Sequence, residues 1–385
     1  MRPTGFARTS NASASPWLPA GLLLALMLLY LGQVLVRGGG DPLVFARLGT
    51  KYTHGDVRGS EGYDGQFNYF IAVDPAPQSA ALYLDRPAYR YQRILTPLLA
   101  RAAALGNPAA IPWTLVGLNL AYQIAAVLVL GEMLRHRGVS PWVALLFGLW
   151  VGVVAGVRLD LSEPLALLLV LLALWSEERL TESTRAGFWR RHCATWVPGA
   201  LLALSLLAKE TMLPFALGWA LLPALDRSWR RTAARLLVLA PFALLQAWLW
   251  ATFGAPGLVS GGAGSTSFEV LPLAGFLRIS RNGAAAFAVM AALLLPGVIL
   301  PALLAAWSSL RALLASAARR TELLLLLNAL MVLVAPFSTF REPLGITRLA
   351  SGMIVCVLLF AAEIHRPRIF AWGLLWLGYL ALLVE

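Results

Sequence analysis

Charge is scarce in this chain. Only 13% of its 385 residues are Asp, Glu, Lys or Arg, against roughly 25% in an ordinary soluble domain, so polar surface cannot cover a water-soluble globule of this size. Cysteine is nearly absent, and Cys193 with Cys356 gives neither a disulfide framework nor a metal-ligand spacing. No basic stripe interleaved with stacking aromatics occurs, so the net charge of +12 does not read as nucleic-acid binding. The short arginine-bearing breaks between the chain's apolar runs hold no glycine-rich phosphate cradle, which argues against a nucleotide substrate there. No internal repeat or inverted half-to-half similarity is evident, and that weakens a transporter reading.

What is abundant is apolar sequence, 59% of the chain. Each bilayer crossing needs ~20 mostly apolar residues. Runs of that kind recur at about 17–36, 109–133, 140–157, 162–176, 194–208, 211–225, 236–252, 284–307, 321–337, 349–363 and 369–384. The expectation is an all-α polytopic membrane protein of about eleven spans, one transmembrane domain over 1–385, with a long polar segment at 37–108 and the remaining spans over 109–385. The run from Trp17 to Val36 follows Arg2 and Arg8, is long enough to span and lacks a small-x-small cleavage site, so it reads as an uncleaved first span. Arginines crowd alternate breaks: Arg135 and Arg137; Arg179, Arg185, Arg190 and Arg191; Arg227, Arg230, Arg231 and Arg235; Arg311, Arg319 and Arg320; Arg366 and Arg368. The positive-inside rule then puts the N-terminus in the cytoplasm and 37–108 outside, with Arg90 to Leu105 as a helix lying along the outer interface or dipping into it.

Ionisable residues near membrane depth are expensive, so their clusters mark candidate sites. Under this topology the clusters share one face: Arg158, Asp160 and Glu163; Lys209 and Glu210; Arg341, Glu342 and Arg348; and Asp56, Glu61 and Asp64 in the first loop. Each has a local reading. Arg158 with Asp160, Lys209 with Glu210 and Arg341 with Glu342 could be neighbouring ion pairs, Pro164 could start a helix capped by Ser162, and Asp64-Gly65 could be a turn. Gly254 to Ser267 is a flexible outer loop, either a connector or a lid. Asp56, Glu61 and Asp64 could offer hard oxygen ligands to a divalent metal, but no ligand motif forms around them, and no cofactor is expected.

Four stretches carry a resemblance: Tyr63-Asp64-Gly65-Gln66-Phe67-Asn68-Tyr69, Tyr89-Arg90-Tyr91-Gln92-Arg93, Asp160-Leu161-Ser162-Glu163-Pro164 and Lys209-Glu210-Thr211. In order and placement they resemble a bacterial family of polytopic proteins linked to cell-surface glycopolymer formation. More widely they are similar to the GT-C membrane glycosyltransferases, including the PIG-V and PIG-M type mannosyltransferases, although Tyr63 stands where those enzymes have Trp. The resemblance implies transfer of a sugar from a polyprenyl-phosphate donor to a surface glycan, lipid or protein, at the extracytoplasmic face of the bacterial inner membrane. It implies an acid in the first outer loop as catalytic group. Asp64, set in an aromatic and amide-rich block, is the first candidate, with Glu61 and Asp56 as alternatives. Arg93, Lys209, Arg341 and Arg348 would face the lipid phosphate, with Arg90, Arg158, Asp160, Glu163, Glu210 and Glu342 around the substrate, and Gln66, Asn68 and Tyr91 would meet sugar hydroxyls. The competing expectation is a transporter or flippase of a lipid-linked glycan, whose substrate path the same charges would line.

Overall fold

The computed structural model describes residues 15–182, 188–262, 264–315 and 320–384. Arg2, Arg8, Arg185 and Arg319, used above for orientation, lie outside the described residues, as do the side chains of Arg190, Arg191 and Cys193. Everything described is helix, turn or irregular chain, with no strand among the described residues.

Five helices are long and apolar enough to cross a bilayer: Trp17–Arg37, Ile111–His136, Trp229–Phe253, Ala284–Leu314 and Pro343–Glu363. The pair Pro141–Gly148 and Val151–Arg158, bent by 60°, makes a sixth if it is one span. Several of these helices cannot be housed by protein alone. Only 17% of the most apolar stretch of Trp229–Phe253 is buried, leaving Leu244 71% and Trp250 64% exposed. Apolar surface of that extent needs hydrocarbon around it, so the chain is a multi-pass membrane protein. The other expected crossings fall on helices that are shorter or more polar: Glu163–Glu182, Trp196–Ala208, Glu210–Leu225, Arg320–Leu333 and Pro367–Leu383.

Proline and glycine punctuate these helices. Pro112, Pro141 and Pro343 sit in first turns, where a missing N–H costs nothing. The first helix stops at Gly38-Gly39-Gly40, the last two at positive φ. At the centre is Pro343–Glu363, with 72% of its apolar stretch buried. Gly152 lets the broken helix approach it, because a Cβ there would lie 2.5 Å from the Thr347 carbonyl oxygen. Trp150, at the break, donates its indole N–H to that same oxygen at 2.8 Å.

The 38–110 segment is a packed cap rather than a free loop. Its short helices, Gly65–Val73, Pro87–Tyr91 and Leu95–Ala103 among them, bury Phe67, Phe70, Ile71 and Tyr91 against Leu249 of a span. At the opposite helix ends, arginines and acids neutralise one another. Arg137 pairs with Glu178 at 2.6 Å and Glu363 at 3.3 Å; Arg320 pairs with Glu177 at 2.9 Å and with Glu178; Arg235 reaches Glu177 at 3.2 Å.

Candidate functional site

The charged residues at the capped end arrive from helix termini. Asp64 immediately precedes the helix Gly65–Val73. Arg90 lies in Pro87–Tyr91, and Arg93 follows it. Glu163 opens Glu163–Glu182, Lys209 and Glu210 sit at the break before Leu213–Leu225, Arg341 ends Phe337–Arg341 and Arg348 lies near the start of Pro343–Glu363. All of them, together with Glu342, line one cavity of about 220 Å³. Gly262, Gly264 and Ser265 of the glycine-rich loop line it too, so that loop forms part of the wall.

Asp64 is fixed by its glycine neighbour. Asp64-Gly65 does form a turn, with the Gln66 N–H donating to the Tyr63 carbonyl at 3.2 Å, but Gly65 does not have positive φ, so the turn's backbone is not what calls for glycine. Instead a Cβ on Gly65 would lie 2.0 Å from the Leu159 carbonyl oxygen, which only glycine can allow. The Asp64 carboxylate makes no helix-cap hydrogen bond. Its Oδ1 accepts from Arg90 Nη1 at 2.9 Å and its Oδ2 from Arg348 Nη2 at 3.2 Å. Burial favours its protonated form, but Arg90 and Arg348, backed by Arg93 and Lys209, override that and hold the carboxyl far below the usual range. At 31% side-chain exposure it still meets the cavity.

Around it the charges interlock. Arg90 grips Asp85 through Nε at 2.6 Å and Nη2 at 2.8 Å, with its guanidinium 4.1 Å from the Phe67 ring centre. Arg93 donates to both Glu210 oxygens, at 2.9 and 2.6 Å, and stacks on Tyr89. Glu163, 2% exposed, takes hydrogen bonds on Oε1 from Lys209 at 2.9 Å and Arg348 at 2.8 Å. Arg348 also donates to the Tyr63 hydroxyl, which donates to Glu342. Arg341 differs: it is exposed, lies over Phe337 and has no ion pair among the described residues.

Other candidates stand apart from this cavity. Asp56 is exposed and accepts from the Arg58 backbone N–H, while Glu61, 72% exposed, pairs with Lys51. Gln66 braces its own loop, bonding the Gly49 N–H and the Glu61 carbonyl. Tyr91 is buried among Trp248 and Phe253 and donates to the Pro75 carbonyl. Asn68 donates to the Asp160 carbonyl and adjoins a small void of about 10 Å³ beneath Asp64. Arg158 donates to the Val44 carbonyl and borders a different, apolar cavity. Asp160 is fully buried, and burial pushes its carboxyl well above the usual range against the pull of Arg158. Neither Asp85 nor Tyr89 is among the site candidates from the sequence, although Tyr89 stands in one of the quoted stretches, yet Asp85 holds Arg90 and Tyr89 holds Arg93. For Tyr89 a signal existed, since it lies one helical turn before Arg93. Among the described residues no group of three or more His, Cys, Asp or Glu side chains could hold a metal ion.

Lys209 links the site to pH. Burial, then Arg93, pushes its ammonium down to about 8, with Glu163 opposing. It is charged below that pH and neutral above it. An anion held in the cavity should therefore bind progressively less well from pH 8 upward, and Lys209→Arg should move that decline to higher pH; anion affinity measured against pH decides it. The folded value lies below the ordinary 10.5, so Lys209's contribution to stability changes in the opposite sense, improving as pH rises from 8 to about 10. No protein family, curated protein or solved structure matches this chain.

Proposed function

We propose that this chain is a GT-C-type membrane glycosyltransferase of about eleven crossings, with the cavity at the extracytoplasmic face of a bacterial inner membrane. It would transfer a sugar from a polyprenyl phosphate to a surface glycan, lipid or protein. The observation that carries the reading is a carboxylate, Asp64, facing a cavity whose wall also holds Arg341, a guanidinium with no ion pair among the described residues. Base and anion receptor line the same cavity, as transfer from a lipid phosphate requires.

In the reaction the acceptor oxygen bonds to the anomeric carbon, whose bond to the phosphate oxygen breaks. The bonding electrons leave with the lipid phosphate, and the acceptor proton passes to Asp64. Arg341, Arg348 and Lys209 stabilise the charge that develops on the phosphate. A carboxylate held by two guanidinia is a weak base before the donor binds. The donor's negative charge, placed beside the same cations, offsets their field and raises the basicity of Asp64 when the acceptor needs it. Flippase activity fits less well, because acids and arginines at the opposite end of the bundle are committed to one another.

Assay of the purified protein against a panel of polyprenyl-phosphate sugars and extracted surface glycans is the direct test. Transfer from one donor supports the reading, and failure of every donor with intact protein overturns it. Arg341 gives a sharper measurement. Arg341→Ala should raise the donor KM about tenfold, the size of one lost charged hydrogen bond, without loss of folded protein. Arg341→Lys should recover part of the affinity. Unchanged KM in Arg341→Ala would remove this residue from the donor site.

A further inference from the structure

A second cavity, about 650 Å³, lies between the first span, the broken helix and the chain's last described turn. It shares no wall residue with the cavity around Asp64. Met27, Leu149, Val154 and Leu380 give it apolar sides, and Gln33, Arg37 and Arg158 stand at its polar end. Arg37 is exposed and has no ion pair among the described residues. The guanidinium of Arg158 is oriented by the Val44 carbonyl at 3.0 Å and by the Phe45 ring, 5.9 Å away. Only 28% of the apolar stretch of the first span is buried, so this cavity borders the bilayer. Water does not fill an apolar void of this kind, whereas hydrocarbon does.

We propose that this cavity is a binding site for an anionic phospholipid, taking one acyl chain against Met27 and Val154 and setting its phosphate between Arg37 and Arg158. A chain with a phosphate at its end matches both the apolar sides and the cationic rim. A polyprenyl-phosphate donor seated here would hold its head group outside the Asp64 cavity, which is why a bilayer phospholipid is the occupant. The site is independent of the glycosyltransferase reading and rests only on the chain's place in a membrane.

The test uses full-length protein in phosphatidylcholine nanodiscs containing a trace of phosphatidylglycerol with a photoreactive acyl chain. Adducts mapped by mass spectrometry should concentrate on residues 26–34, 149–154 and 380–384, and excess unlabelled phosphatidylglycerol should suppress them. Arg37→Gln should cut the preference for phosphatidylglycerol over phosphatidylcholine by about fivefold, the contribution of one arginine near an anionic surface. Met27→Trp, which fills the cavity with an apolar side chain, should abolish the local adducts. Because the mapping is read first on the unaltered protein, misfolding of a variant cannot decide it. Adducts spread evenly over the lipid-facing helices would overturn the proposal, as would suppression by polyprenyl phosphate but not by phosphatidylglycerol.

Discussion

Asp64→Asn should lower sugar transfer by about 10²-fold or more while leaving the protein folded and inserted, since a positioned general base contributes ~10²–10⁴ in rate. The substitution keeps shape and volume but removes the proton acceptor. Folding should tolerate it because the neighbouring cations keep other partners, Arg90 on Asp85 and Arg348 on Glu163. Asp56→Asn and Glu61→Gln are the natural companions. Both side chains are exposed and lie outside the cavity wall, so both variants should transfer at close to the unaltered rate. Product formation at matched expression measures all three. Near-normal product from Asp64→Asn with loss in either companion would move the catalytic assignment; near-normal product from all three would end the enzyme reading of this cap.

The largest effect on stability should come from Arg348→Ala. This guanidinium, 8% exposed, bonds Glu163, Asp64 and Tyr63 at once. Its loss leaves Glu163 with Lys209 as its remaining ion pair and Asp64 with Arg90. Removing one partner from a buried charge cluster costs about 3–5 kcal/mol, because the carboxylates stay buried with less compensation. Thermal melting in detergent should fall sharply. The double variant Arg348→Met with Glu163→Gln deletes charges of both signs while leaving Lys209 an amide oxygen to donate to, and should recover part of the melting temperature, yet remain inactive for want of the phosphate ligand. Active protein from that double variant would show that Arg348 serves the fold alone.

The apolar runs made the membrane class legible, and several helix boundaries followed from proline and glycine. Other boundaries did not. The break at Leu149-Trp150 has neither proline nor glycine at its centre, and it is held by the Trp150 indole meeting a carbonyl of a distant helix, a tertiary contact that local pattern cannot carry. In the site, residue types were readable but pairings were not. Lys209 and Glu210 adjoin in sequence, yet one pairs with Glu163, 46 residues away, and the other with Arg93, 117 residues away. Glu163 illustrates two meanings in one place, since it starts a helix with Pro164 and also anchors two cations. The amides of Gln66 and Asn68 read as sugar ligands but are spent on backbone groups, Gln66 within the cap and Asn68 on the Asp160 carbonyl beyond it. A side chain that braces a loop and one that binds a hydroxyl use the same hydrogen-bonding group, so sequence cannot separate them.

The interlocked charges have a consequence for how a substrate arrives. Arg90, Arg93, Lys209, Arg341 and Arg348 are equalled in number by Asp64, Asp85, Glu163, Glu210 and Glu342, although Arg341 itself has no ion pair among the described residues. Formally the cluster sums to zero, so its potential cancels within a few ångströms and gives little long-range attraction for an anion in solution. Capture then depends on partitioning within the lipid leaflet rather than on steering through water. The encounter rate should accordingly change little when ionic strength is raised enough to shorten the screening length to ~3 Å; stopped-flow binding of the lipid phosphate across a salt series would detect a steered encounter as a steep decline.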